Sequence, residues 1–246
     1  MVRGILGIHG GKPVRETYLP YGQQQIDEYD IQAVVDVLKG DFLTTGPMVQ
    51  QFEEAIAKYV GAKYAVSFSN GTAALHAACY AAGITEGDEV ITTPMTFVAS
   101  ANCILYQGAK PVFADIDNET YNISPKSIEE KITNKTKAII PVHFTGQPVE
   151  LEAIQKIAKK NNLIIIEDAA HALGATYKNK KIGSIGDMTM FSFHPVKHIT
   201  TGEGGVITTN NPLFMKNLFN SVHMELKGTP KNFLKIMDLG IMKCNS

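Results

Sequence analysis

The sequence predicts an α/β fold built on a mostly parallel sheet. Between residues 64 and 168, short apolar runs alternate with stretches of helical spacing five times, the rhythm of strand–crossover–strand units. The runs are also apolar at nearly every position, as in LIIIED at 163–168, which is how strands read when helices cover both faces of their sheet. Finally, 246 residues with 44% hydrophobic and 19% charged side chains are enough to bury a large core.

The elements follow in order. IDEYDIQAVVDVLK (26–39) carries apolar residues at helical spacing and Gly40 can end it; a second amphipathic helix over 48–60 is stopped by Gly61. YAVSF (64–68) is a strand and TAALHAACYAA (72–82) a helix. EVITT (89–93) is a strand, followed by a helix over 96–106. KPVFADI (110–116), AIIPVHF (138–144) and LIIIED (163–168) are strands, with helices over 125–132 and 151–161 between them. After Gly174 the rhythm changes. ATYKNKKIG, MTMFSF and GVITT read as hairpin-like or edge pieces, and a last helix spans 212–221. We expect an N-terminal segment (1–40), a large domain (41–225) and an atypical tail (226–246).

Composition narrows the classes. Net charge is −1 with no basic tract, so nothing in the composition points to a nucleic-acid or anionic-membrane partner. Cys79, Cys103 and Cys244 are odd in number and scattered, so neither a disulfide framework nor a zinc knuckle is expected and a reducing compartment fits. MVRGILGIHGGKP is a poor signal peptide, and no run reaches the ~18 apolar residues of a membrane span. The expected location is the cytoplasm.

In a parallel sheet, ligands collect at the carboxyl ends of strands, and four such ends carry unusual residues. Ser69-Asn70-Gly71-Thr72 leads into a helix. On its own it reads first as a helix cap, and second as an anion site built from free N–H groups and the positive end of the helix dipole. Phe97 follows the second strand, either as core or as a face for a flat ring. Asp168 ends a buried strand. A nucleotide-hydrolase reading would need G-x-x-x-x-G-K-[ST] upstream, which is absent; a turn-capping acid stays open. The fourth stretch is FSFHPVKHITTGEGG (191–205), where Lys197 has no acidic neighbour before Glu203. His194 and His198 lie four apart, but Pro195 intervenes and no third ligand is evident, so no metal is expected.

Pyridoxal phosphate uses all four features: an amine for its aldehyde, an acid for its ring nitrogen, a phosphate cradle and a flat wall. At an unperturbed pKa near ~10.4 only about four lysines in ten thousand are neutral at pH 7. Burial lowers that pKa by up to ~3–5 units. A charge-poor surround is what such a lysine requires.

The chain resembles the DegT/DnrJ/EryC1/StrS aminotransferases. The resemblance runs nearly end to end through LTTGPMVQQFE (43–53), SNGTAALH (69–76), PMTFVASANC (94–103), PVHFTGQP (141–148), EDAAHALGA (167–175) and IGDMTMFSFHPVKHITTGEGG (185–205). It implies the large domain of the fold type I pyridoxal-phosphate enzymes. It also implies that Lys197 bonds the cofactor and moves protons, that Asp168 pairs with the ring nitrogen, and that His171 approaches the ring oxygen. Phe97 would stack on the ring, and Gly71, Thr72 and Ser192 would hold the phosphate. Thr44, Thr45 and Gly46 would contribute to the sugar-nucleotide pocket, and His143 sits in a shared motif. Dehydratases of the family carry His in place of the lysine, so Lys197 favours transamination. The implied reaction takes an amine from L-glutamate and delivers it to C4 of a UDP-linked 4-keto-6-deoxy-N-acetylhexosamine, as in pseudaminic acid synthesis, with a homodimer as the assembly. The resemblance further implies a C-terminal α/β domain that this sequence does not contain. After Asp238-Leu239-Gly240 the pattern breaks, and Met242 stands where an Asn reaching the partner's cofactor is implied. A prematurely ended, impaired member that only binds the cofactor or pairs with a partner is the alternative, and a sugar dehydratase a second.

Overall fold

The computed structural model describes residues 4–44 and 46–222. The tail at 226–246, with Met242 and Cys244, lies outside the described residues, as does Thr45.

Helix α1 (Glu28–Lys39) begins at a capping box in which Asp27 and Asp30 satisfy each other's backbone N–H groups. Gly40 ends it with φ −78°, an extended rather than left-handed cap. Helix α2 (Pro47–Val60) has Pro at its first position and Gly61 at φ 79° closing it, the left-handed conformation that glycine adopts without a Cβ clash. The alternation then follows: β1 (Tyr64–Phe68), α3 (Gly71–Ala81), β2 (Glu89–Thr92), α4 (Ala99–Leu105), β3 (Lys110–Phe113), α5 (Pro125–Lys131), β4 (Thr136–Ile140), α6 (Leu151–Asn161) and β5 (Ile164–Asp168). The small pair β6 (Thr176–Tyr177) and β7 (Lys180–Lys181) forms the expected hairpin. Strands β8 (Met188–Ser192) and β9 (Gly205–Thr209) and helix α7 (Pro212–Val222) complete the described chain.

Among the described residues, seven strands form one sheet in the order β1-β9-β8-β5-β4-β2-β3. Strands β3, β2, β4, β5 and β8 pair in parallel, and β9 runs antiparallel to both β8 and β1, so β9 alone is reversed. This corrects the expectation for MTMFSF and GVITT. They are not edge or hairpin pieces but interior strands, with β1 and β3 at the edges. Their residues are buried from Met188 to Phe191 and from Gly205 to Thr209, the mark of strands covered on both sides.

Three predicted strands are shorter than expected: β2 ends at Thr92, β3 at Phe113, and β4 at Ile140 before Pro141. Beyond them, Ile116 and Val142 make single bridges to Ile123 and Asp168. Helix α4 starts at Ala99 rather than 96. Its predicted first turn is instead a loop in which the Ser100 N–H bonds the Phe97 carbonyl at 3.2 Å.

The sheet has a core on each face. Along β4, Ala138 and Ile140 pack with Ala74 of α3, Cys103 of α4 and Leu218 of α7, while Ile139 packs with Ile56 of α2, Ile128 of α5 and Ile154 of α6. Alternate residues of one strand thus face different helix layers.

Candidate active site

Because every sheet strand but β9 points the same way, the carboxyl ends of β1, β2, β4, β5 and β8 meet along one edge. They bound a cleft of about 860 Å³ whose lining includes Asn70, Gly71, Thr72, Phe97, His143, Asp168, His171, Ser192 and Lys197. All seven expected catalytic and cofactor positions are therefore in one place. Thr44 and Gly46 are not among the lining residues; Gly46 caps α2.

The turn after β1 is both a helix cap and an open N-terminus. Asn70 accepts the Ala73 N–H at 2.8 Å, while the N–H groups of Gly71 and Thr72 lie in the first helical turn, where no carbonyl of the same helix reaches them. A Cβ on Gly71 would come within 3.0 Å of the Ser192 Cβ and 3.3 Å of its Oγ. Glycine thus lets the end of β8 press its hydroxyl toward the positive end of α3.

Phe97 is 73% exposed, so the core reading fails. The irregular loop before α4 turns the ring into the cleft as a wall. Asp168 is 5% exposed and accepts from the Ser100 hydroxyl at 2.6 Å and the Ala170 N–H at 3.2 Å. A carboxylate offers about four lone-pair directions, so capacity remains for a donor in the cleft.

Lys197 hangs in the loop between β8 and the reversed β9. Its amine lies 2.6 Å from Nε2 of His171. Desolvation lowers the Lys197 pKa, and the negative charge of Asp168 pulls partly the other way. Desolvation also lowers His171, reinforced by the positive charges of Lys197 and His198 and opposed by Asp168. A base held neutral beside an amine whose proton is loosened forms a proton-transfer pair. His198 approaches edge-on, its ring centroid 6.4 Å from that of His171. His194 lies 3.9 Å from Glu203. Among the described residues no group of three or more His, Cys, Asp or Glu is placed to hold a metal.

The structure gives His143 its partners and adds Glu167, Thr145 and Ser100, which no sequence motif marked for a role. His143 is fully buried; its Nδ1 accepts the Val149 N–H at 3.2 Å and its Nε2 meets Glu167 at 2.8 Å. Glu167, also buried, further accepts from Gly186 N–H and the Thr189 hydroxyl. The pair braces the ends of β4 and β5 beneath the cleft. Thr145 lines the cleft with φ 51°, an uncommon conformation for a β-branched residue. Ser100 is the third. Its only sequence signal was a hydroxyl four residues after Thr96 at a helix start.

A parallel sheet whose strand ends gather a lysine, a buried acid, an aromatic wall and a helix N-terminus is an architecture of the cofactor-dependent aminotransferases. The chain belongs to the DegT/DnrJ/EryC1/StrS aminotransferase family, whose sequence model matches residues 24–239. It is 50% identical over 197 residues to the spore coat polysaccharide biosynthesis protein SpsC of Bacillus subtilis, covering 80% of this chain and 51% of that one. Helicobacter pylori PseC, an aminotransferase involved in the biosynthesis of pseudoaminic acid, superposes with a TM-score of 0.80 at 38% identity, over 86% of this chain and 57% of that one. Streptococcus pneumoniae Spr1654 in its PLP-form superposes with a TM-score of 0.81 at 34% identity, over 86% and 60%. The chain spans about half the length of the curated relatives it matches.

Proposed function

We propose that the cleft holds pyridoxal 5′-phosphate and that the protein transfers an amino group from L-glutamate to a nucleotide-linked 4-keto-sugar. The observation that carries this is the meeting of Lys197, Asp168, Phe97, Ser192 and the start of α3 in one cleft. The residues fit the group. The Gly71 and Thr72 N–H groups and the Ser192 hydroxyl form a donor set for a phosphate dianion. Phe97 offers a flat face, and buried Asp168 offers a negative oxygen to a ring N–H. Pyridoxal phosphate supplies an aldehyde for an amine and a ring that accepts electrons from the reacting carbon. The chain's own work is then to hold, orient and move protons. Asp168 keeps the ring nitrogen protonated, His171 accepts or returns a proton at the Lys197 amine, and Phe97 screens one ring face from water.

The finer reading places the acceptor as a UDP-linked 4-keto-6-deoxy-N-acetylhexosamine of surface-glycan synthesis, aminated at C4, with a homodimer in the cytoplasm as the working form. Similarity to PseC and SpsC supports the sugar. The free cysteines Cys79 and Cys103 agree with a reducing compartment. Residues 41–225 form the cofactor-holding unit in this reading.

Borohydride reduction of the protein with pyridoxal phosphate, followed by peptide mapping, is expected to place the fixed cofactor on Lys197. Amine transfer from labelled glutamate to the keto-sugar is expected to follow. A Lys197→Ala variant that fixes the cofactor equally well overturns the assignment.

A further inference from the structure

We propose that Ser100 is a positioning residue that fixes the Asp168 carboxylate and ties it to the loop carrying Phe97, an inference that rests on the cofactor reading above. Ser100 is fully buried in the first turn of α4. Its Oγ lies 2.6 Å from Asp168 Oδ2, 2.8 Å from Thr96 Oγ1 and 3.3 Å from the Phe97 carbonyl.

Proton counting gives these contacts a direction. Ser100 has one hydroxyl proton, and an ionised carboxylate can only accept. Of its two acceptors, the charged oxygen at 2.6 Å outcompetes the carbonyl at 3.3 Å, since hydrogen bonds to ionised groups are shorter and roughly twice as strong. The Phe97 carbonyl keeps the Ser100 backbone N–H at 3.2 Å. The Thr96 hydroxyl must then donate to Ser100 Oγ, giving a one-way chain from Thr96 through Ser100 to Asp168. Donors in series polarise one another. A buried helical serine ordinarily bonds the carbonyl three or four residues back. Here that bond is the long one, and the short one reaches a residue 68 positions away.

The chain links two walls of the cleft. Asp168 ends β5, and Thr96 and Phe97 lie in the loop after β2, with β4 between those strands in the sheet. One hydroxyl therefore sets the carboxylate's rotamer and the seat of the aromatic loop together. Without it, Oδ2 loses its short donor and the carboxylate is no longer held in place against a bound ring nitrogen, so the positive charge of that ring would be kept less firmly.

The test compares wild type, Ser100→Ala and Ser100→Thr in the full chain by three measurements. These are pyridoxal phosphate affinity by fluorescence titration, the pH midpoint of the bound cofactor's visible absorbance, and the urea midpoint without cofactor. Ser100→Ala is expected to weaken binding roughly tenfold and to move the absorbance midpoint upward by about half a unit or more, with Ser100→Thr restoring both. Thr96→Val, which removes the first donor but keeps Ser100, is expected to shift the midpoint the same way by less, and it carries the test if Ser100→Ala does not fold. If wild type binds the cofactor through Lys197 while both variants keep its affinity and midpoint and only the urea midpoint falls, the positioning role is overturned and the cofactor reading stands. If wild type binds no cofactor at Lys197, the cofactor reading itself fails.

Discussion

At the scale of single residues, the site depends on desolvation outweighing attraction. Lys197 is partly buried among groups that bring one opposing charge, Asp168, and the net effect still lowers its pKa. His171 is lowered by the same cause and by its cationic neighbours. This has a consequence for stability. A histidine whose folded pKa lies below the ordinary value near ~6.5 binds fewer protons folded than unfolded, so stability is full above that pH and falls as pH drops toward the folded midpoint. We expect the thermal midpoint of wild type to decline below about pH 6.5, and the decline to be shallower in His171→Asn. Part of it should remain, because burial lowers His76 as well. The slope is modest, since His171 is exposed on one side and solvent screens it. Thermal scans from neutral to mildly acidic pH check this, and a variant with an unchanged slope would remove His171 from the account.

At the scale of elements, the reversed strand β9 makes the site possible. A chain leaving β8 at Ser192 and returning by an antiparallel neighbour needs only a loop, and that loop carries Lys197 across the carboxyl edge of the sheet. The return is tight. A Cβ on Gly205 would fall against the Asn70 carbonyl and within 2.7 Å of the Gly71 backbone nitrogen. Backbone atoms at the start of α3 cannot swing aside as a side-chain tip can. Gly205→Ala is therefore expected to cost about 2 kcal/mol or more, read from urea unfolding, and to weaken cofactor binding with it by displacing the Gly71 turn. Retained affinity in a destabilised variant would separate the turn from the phosphate site. The late start of α4 belongs to the same scale. Helical periodicity in FVASANCILY was legible, but the loop that turns Phe97 outward and buries Ser100 was not. Its determinant is a contact with Asp168, 68 residues away.

At the scale of the whole molecule, the two cores account for α2 to α7 but not for α1. No residue of that helix is buried, and Ile31, Val34 and Leu38 are 48%, 61% and 64% exposed along one stripe. The helix has its own capping box and only partly buries Val35 and Val37. Replacing the three residues by serine should change the unfolding free energy of the isolated chain by no more than about 0.5 kcal/mol each. Urea titration checks this, and a loss near that of a buried leucine would mean the stripe is covered in solution.

The sequence by itself determined the class of sheet, the order of its elements from residue 64 to 168, and the residues gathered at its strand ends, because burial on two faces and helical spacing are local patterns that a chain cannot hide. Asp168 and Lys197 could be singled out because a buried acid and a charge-poor lysine are anomalies within their own segments. Tertiary structure alone decided that β8 and β9 lie inside the sheet, that Ser100 touches Asp168, and that His143 lines the cleft. Each of those depends on which distant strand becomes a neighbour, and pairing across the sheet is set by the packing of both helix layers at once rather than by any segment's own preference.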